Sequence, residues 1–287
     1  PPAAAAARIA RDAAMRALLS TLLALHVCAS AAAGSSRTRF ISHRGESLDA
    51  PENTMAAFRL AADRQTDGFE CDVYLTADNE IVCIHDASTT RTAGTNLTVA
   101  ASTLAELKAL DAGSWKGAAF EGVRIPTLSE ALSLARDGFE IYVEIKCGVE
   151  ILPRLSEALA AAPKATPARV VFIAFSTNVI KALRQQLPDY RAYWLTNTKL
   201  NADGSVTPTA SAAAAAARGC GAEGVSAQAS AAVSAAYVSA VQAEGLSFHV
   251  WTVDVATQAV ALAEMGVETI TSNCGAALAA QLAVASS

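Results

Sequence analysis

The sequence predicts an α/β fold, a (β/α)8 TIM barrel with a small insertion after the second strand. Three observations lead there. Short β-type runs alternate with longer Ala/Leu-rich stretches of helical character, the pattern of a parallel sheet with crossover helices. The runs make eight strand–helix pairs with one extra strand, which suits a closed barrel; a doubly wound open sheet is the alternative. One interval is too long: Asp72 and Glu144 sit on successive core strands yet lie 72 positions apart, where one βα unit needs about 30 residues.

The elements follow in order. The first strand spans 39–42 and the first helix 54–64. The second strand, 69–74, reads Phe-Glu-Cys-Asp-Val-Tyr, and the run 80–85 returns against it as a hairpin strand. The insertion occupies about residues 87–126 and holds Trp115 and Phe120 in a Gly-rich loop. Thr103-x-x-Glu106 and Thr127-x-x-Glu130 are capping boxes, the second directly after Pro126 and opening a helix over 128–135. The remaining pairs are strand 140–145 with helix 150–161, 170–175 with 178–186, 192–195 with 210–218, 224–227 with 231–244, 247–253 with 257–265, and 268–271 with 275–282. The Ala/Ser-rich stretch 207–236 reads as thin outer helices, because alanine has the highest helix propensity. The barrel domain is assigned to residues 38–284.

Residues 1–33 are expected to be removed. Met15-Arg16 reads as the start, with the residues before it upstream of the reading frame. An apolar run over 17–27 and the small residues Ala29 to Ala33 then follow. A basic start, a short apolar stretch and an Ala-x-Ala site form a secretory signal peptide, so the protein is expected to be secreted or periplasmic. Without Arg8, Arg11, Arg16 and Asp12, the 22 basic and 27 acidic residues become 19 and 26, a net charge of −7. No later stretch is apolar and long enough to span a bilayer. With no basic excess, binding to nucleic acid by phosphate neutralisation is excluded. An apolar content of 52% excludes a disordered chain. Five cysteines remain (Cys71, Cys83, Cys147, Cys220 and Cys274); their spacing fits no zinc pattern, and they read as small buried hydrophobes.

The chemistry-bearing residues lie at strand ends. His43 closes the first strand and His85 the hairpin strand, where barrel enzymes place catalytic groups. Glu70 and Asp72 lie two apart on a strand, so their side chains leave the same face. Two carboxylates on a buried face repel each other and cost several kcal/mol each to desolvate unless a cation compensates. Glu144 lies on the next core strand, with Lys146 on its face. Three hard oxygen donors suit one divalent cation, Mg²⁺ or Ca²⁺. Arg44 and Lys146 alone would leave three acids against two bases. Gly219-Cys-Gly221-Ala-Glu-Gly224 fits a dinucleotide fingerprint, but it follows a helix and leads into a strand. It therefore reads as a helix cap and turn.

These residues stand in ordered blocks: Ile41-Ser-His43-Arg44-Gly45, Ala50-Pro51-Glu52-Asn53-Thr54 with Ala57-Phe58, Gly68-Phe-Glu70-Cys-Asp72-Val73, Asp78, and Val82-Cys-Ile-His85-Asp86. Ile125-Pro-Thr-Leu-x-Glu130, Val143-Glu-Ile-Lys146 and Val250-Trp251-Thr-Val253 continue the series. Over about residues 38–280 the chain resembles the glycerophosphodiester phosphodiesterase family. The resemblance implies the (β/α)8 barrel with its insertion, and a metal-dependent hydrolysis of small glycerophosphodiesters to an alcohol and glycerol 3-phosphate. It implies that Glu70, Asp72 and Glu144 hold the metal. By the same resemblance His43 and His85 are the acid–base pair, Arg44 and Lys146 face the phosphate, and Trp251 lines the pocket. His249 shares Trp251's strand face but has no role in these motifs. The sequence departs from the family pattern at Cys274-Gly275, where a proline is commoner. A phospholipase-D-like lipid phosphodiesterase of the spider-toxin type is the alternative on the same barrel; it would need an apolar mouth, with the distinction expected at Trp115 and Phe120. A non-catalytic glycerophosphodiester-binding protein is disfavoured, because every catalytic position is occupied.

Overall fold

The computed structural model describes residues 37–285. The predicted signal peptide lies outside the described residues. Among the described residues, eleven strands and ten α-helices follow in chain order. They begin with β1 (Arg39–Ser42), α1 (Met55–Asp63), β2 (Gly68–Leu75), β3 (Ile81–Cys83), α2 (Thr90–Ala93), α3 (Leu104–Ala109) and α4 (Leu128–Leu132). Then come β4 (Glu140–Ile145), α5 (Leu152–Ala160), β5 (Val170–Ala174), α6 (Thr177–Gln186), β6 (Arg191–Thr196), β7 (Lys199–Leu200), β8 (Val206–Thr207) and α7 (Ala210–Gly219). The chain ends with β9 (Gly224–Gln228), α8 (Ala235–Gln242), β10 (Ser247–Trp251), α9 (Ala256–Glu264), β11 (Thr269–Ser272) and α10 (Gly275–Ala285).

Eight parallel strands close on themselves. Their order is β1-β11-β10-β9-β6-β5-β4-β2, and β1 also pairs with β2 through Ile41 and Ser42. β3 is the predicted hairpin strand, antiparallel to β2 with Val73 opposite Cys83. The period-2 alternation of β2 explains its two environments. Phe69, Cys71 and Val73 point outward into the layer under the helices, where Phe69 stacks on Phe58 of α1 at 4.3 Å between centroids. Glu70 and Asp72 point into the barrel and are buried. A smaller cluster fills the interior: Ile41, Tyr142, Val171, Ile173, Tyr193 and Leu195. Val82 and Ile84 at the hairpin strand, with Val99, Leu107, Ala112 and Ile125 of the insertion, form a satellite core.

Both predicted capping boxes are present, Thr103 with Glu106 and Thr127 with Glu130. Several boundaries shift. The run 80–85 contributes only Ile81–Cys83 to a strand; Ile84 N still donates to Asp72 O, and the chain then leaves β2. β5 stops at Ala174, so Phe175 sits past the sheet. The helix expected over 231–244 starts at Ala235, where Ser234 accepts a hydrogen bond from Tyr237 N and caps it. The β7–β8 hairpin was not anticipated. Its strands are two residues long, too short to show alternation, and the only local signal is the Asp203-Gly204 turn with Gly204 at φ +81°.

Candidate active site

The site forms at the C-terminal ends of the barrel strands. After β1 the chain turns sharply at Arg44 (φ +57°) and Gly45 (φ +80°). A Cβ at Gly45 would meet the Ala57 backbone at 2.5 Å, so only glycine allows this turn to pack on α1. The turn aims the Arg44 amide at Glu70 Oε2 (2.9 Å). It also brings the guanidinium to Asp72 (Nε to Oδ2, 3.2 Å) and Glu52 (2.9 Å). Asn53 holds Asp72 twice: its Nδ2 donates to Asp72 Oδ2 at 2.8 Å and its Oδ1 accepts from Asp72 N at 3.0 Å. Lys146 Nζ donates to Glu144 Oε1 at 2.8 Å and lies 3.5 Å from Asp72 Oδ1.

One oxygen from each of Glu70, Asp72 and Glu144 can be chosen so that all lie within 4.8 Å of one another. Glu70 Oε1 and Asp72 Oδ1 are buried and accept no hydrogen bond. Burial first, and then the charges of Asp72 and Glu144, push the Glu70 carboxyl well above the usual carboxylate range. Burial, followed by Asp72, raises Glu144 to about 7 despite Lys146. Burial opposes the charge of Lys146, yet Asp72 and Glu144 raise its pKa overall. Two orphaned carboxylate oxygens in a mutually repelling hard-oxygen set fit a divalent cation.

The histidines are oriented by partners on opposite sides. His85 Nδ1 lies 2.7 Å from Asp86 Oδ1, and a carboxylate can only accept, so Nδ1 carries the proton. Its Nε2 faces Lys146 Nζ at 3.3 Å. Asp86 is in turn held by Arg91, which also forks onto Glu52 at 2.7 and 2.8 Å. His43 Nδ1 lies 2.8 Å from Asn273 Oδ1. Asn273 Nδ2 donates to Asp254 Oδ2 at 2.6 Å, and its backbone N donates to Oδ1 of the same residue. The Asn273 oxygen is thereby fixed toward His43, which must donate from Nδ1 and keep Nε2 free as a base. Burial, with help from Arg44, lowers the His43 pKa, so the imidazole is neutral at neutral pH.

A cavity of about 190 Å³ opens here. His43, Arg44, Glu70, His85, Glu144, Lys146 and Trp251 line it, and the buried Asp72 lies behind. All eight sequence-predicted site residues thus converge on one place. Asn273, Asp254, Glu52, Asn53 and Asp86 were not singled out as site residues, although Glu52, Asn53 and Asp86 stand in the quoted motifs. The five cysteines among the described residues are all free.

His249 was set aside for want of a motif, yet it lines the same cavity on its floor. Its ring is buried edge-on against Tyr193 at 4.3 Å, and Nε2 has no hydrogen-bond partner. Burial, and then the charges of Arg39 and Arg191, lower its pKa to about 3. An unfolded chain takes up this proton near pH 6.5, so stability is lost as the pH falls below that value. Between pH 6.5 and 4 this single residue should cost about 3 kcal/mol. Denaturant melts of His249→Phe should show a correspondingly flatter loss over that interval. An unchanged slope would assign the acid sensitivity elsewhere.

Residues 43–274 match the model of the glycerophosphoryl diester phosphodiesterase family. A glycerophosphodiester phosphodiesterase of Caldanaerobacter subterraneus is 40% identical over 155 residues, 53% of this chain and 64% of that protein. One of Bacillus subtilis is 29% identical over 175 residues, 55% and 59% of the two chains. The chain thus spans less than two thirds of the length of these relatives. A phosphodiesterase of Oleispira antarctica, solved with the product sn-glycerol-3-phosphate, superposes with a TM-score of 0.76 at 25% identity, covering 86% of this chain and 97% of that one. A glycerophosphodiester phosphodiesterase of Agrobacterium tumefaciens shares the fold with a TM-score of 0.70 at 24% identity, covering 85% and 99%. With this barrel, this site and a family match over most of its length, the chain belongs to the glycerophosphoryl diester phosphodiesterase family.

Proposed function

We propose that the protein hydrolyses glycerophosphodiesters to an alcohol and glycerol 3-phosphate, with a divalent cation and two histidines. The observation that carries this reading is the pair of imidazoles, His43 and His85, lining one cavity beside a three-carboxylate group and two cationic side chains.

Arg44 and Lys146 sit where they can neutralise the single charge of a bound diester and the further charge that develops on its oxygens. Glu70, Asp72 and Glu144 would hold Mg²⁺ or Ca²⁺, which when bound adds Lewis-acid stabilisation of the phosphoryl oxygens. His43 Nε2, neutral and free to accept, takes the proton of the nucleophile. That nucleophile is water or the substrate's own glycerol hydroxyl, in the second case giving a cyclic phosphate that water then opens. His85, held through Nδ1 by Asp86, gives a proton from Nε2 to the departing alkoxide when the ring is doubly protonated. Trp251, anchored by Nε1 donating to Ser226 O at 3.1 Å, walls the cavity. A coupled assay for released glycerol 3-phosphate, run on several glycerophosphodiesters with and without chelator, tests the reading; no release from any of them rejects it.

No described helix is long and apolar enough to cross a membrane. We place the enzyme outside the cytoplasm, secreted or periplasmic, on the signal pattern of residues 1–33. N-terminal sequencing of the exported protein should find a start between about Ala32 and Ser36; an intact Met15 end would reject cleavage.

A further inference from the structure

Arg91 stands outside the cavity lining, on α2 of the insertion, yet all three of its guanidinium nitrogens are spent on carboxylates. Nε donates to Asp86 Oδ2 at 2.7 Å, and the two terminal nitrogens fork onto Glu52 at 2.7 and 2.8 Å. The side chain is 44% exposed, and an ordinary ion pair at that exposure contributes little to stability. A planar fork that joins carboxylates from two separate segments contributes fixed geometry instead.

The two carboxylates lead to different parts of the site. Glu52, from the β1–α1 connection, also accepts from Arg44 at 2.9 Å. Asp86, just past β3, accepts from His85 Nδ1 at 2.7 Å through its other oxygen, Oδ1. Arg91 thus allots the oxygens of Asp86, with Oδ2 to itself and Oδ1 to the imidazole. Burial opposes a charge on Asp86, yet the bond from Arg91, followed by that from His85, holds its carboxyl below the usual carboxylate range. It therefore stays an anion, which can only accept. The backbone that carries Arg91 is itself pinned. Thr89 and Thr92 on either side are buried. Thr89 Oγ1 accepts from Leu97 N at 3.1 Å and donates to Thr95 O, and Ser88 bridges to Thr98.

A general acid delivers its proton along one N–H direction, so the ring must be set before the leaving group departs. Asp86 alone would set it poorly, because its own side chain is 35% exposed. Gripped from behind, it cannot swing away. We infer that Arg91 is a positioning residue for the general acid: it clamps Asp86 to Glu52, so that Asp86 Oδ1 holds the His85 ring with Nε2 turned to the leaving oxygen. The inference rests on the phosphodiesterase reading above. The insertion then serves catalysis through an ion-pair bridge rather than by touching substrate.

Choline release from glycerophosphocholine and p-nitrophenol release from glycerol-phospho-p-nitrophenol, measured with the full chain, test this. Arg91→Ala should lower kcat by about tenfold or more on the choline ester, whose leaving group needs the acid, and by less than about threefold on the nitrophenyl ester. In a His85→Ala background the same substitution should cost less than about twofold more, because the ring it acts through is already gone. A merely structural role would slow both substrates equally and would add to His85→Ala; either result overturns the inference. A raised KM on both substrates with kcat unchanged overturns it too, assigning Arg91 to the phosphate side through Glu52 and Arg44. Arg91→Lys keeps the stem and the charge but cannot fork. It should recover less than about half of the loss on the choline ester, and wild-type rates from it would overturn the clamp. Should Arg91→Ala not fold, Arg91→Lys carries the same comparison of leaving groups. A wild type that releases neither alcohol overturns the phosphodiesterase reading itself.

Discussion

Glu144→Gln is expected to abolish phosphodiester hydrolysis, by about a thousandfold or more, while leaving the barrel folded. Glu144 shares a buried space with Glu70 and Asp72, and among the described residues Arg44 and Lys146 offset their charge. A divalent cation held by the three would contribute several kcal/mol of charge stabilisation in the transition state. Losing one anionic ligand weakens that site without opening a cavity, since glutamine has the same shape. The variant also separates metal binding from activity. In excess chelator, Glu144→Gln should melt at a higher temperature than wild type, because one of three repelling charges is gone. Added Mg²⁺ or Ca²⁺ should raise the wild-type melting temperature by mass action, and that of the variant far less. Full activity of the wild type in excess chelator, or equal metal-induced shifts in both proteins, would overturn the assignment.

His85→Ala should be crippled by about a hundredfold or more on glycerophosphocholine, yet far less impaired on glycerol-phospho-p-nitrophenol. A general acid matters in proportion to how poor the leaving group is. Choline and glycerol leave with a pKa of roughly 14, whereas p-nitrophenol, at roughly 7, departs unaided. His43→Ala should be crippled on both substrates, because activating the nucleophile does not depend on what leaves. Asn273→Leu should follow the His43 pattern more weakly, since it frees the imidazole from the bond that sets its tautomer. The wild-type rate should trace a bell against pH. Its acid limb should lie below the ordinary imidazole value of about 6.5, because burial and Arg44 keep His43 neutral to lower pH. Equal losses in both histidine variants on both substrates would reject the division of roles. Rescue of His43→Ala by the good leaving group would exchange them.

Much of the site was legible because its chemistry is written in local periodicity. Glu70 and Asp72 share a face by the two-residue repeat of a strand, and so do Glu144 and Lys146, whatever the rest of the chain does. The turn at Arg44-Gly45 and the capping boxes are likewise set within a few residues. The hairpin at 199–207 escaped because two-residue strands leave no pattern to read.

The sequence by itself determined the alternation of elements, the faces on which acids and apolar groups project, and the residue types that could handle a phosphodiester. Only the tertiary structure decided which partner each polar atom meets. Asn273 reaches His43, 230 positions away, because β11 pairs with β1 when the barrel closes. His85 meets Lys146 because a hairpin off β2 lies over the end of a strand far along the chain. Side-chain periodicity is a property of local backbone geometry, and it carries no record of which distant strand will lie opposite. Closure of the sheet supplies that record, and with it the tautomers, the orphaned carboxylate oxygens and the shape of the mouth.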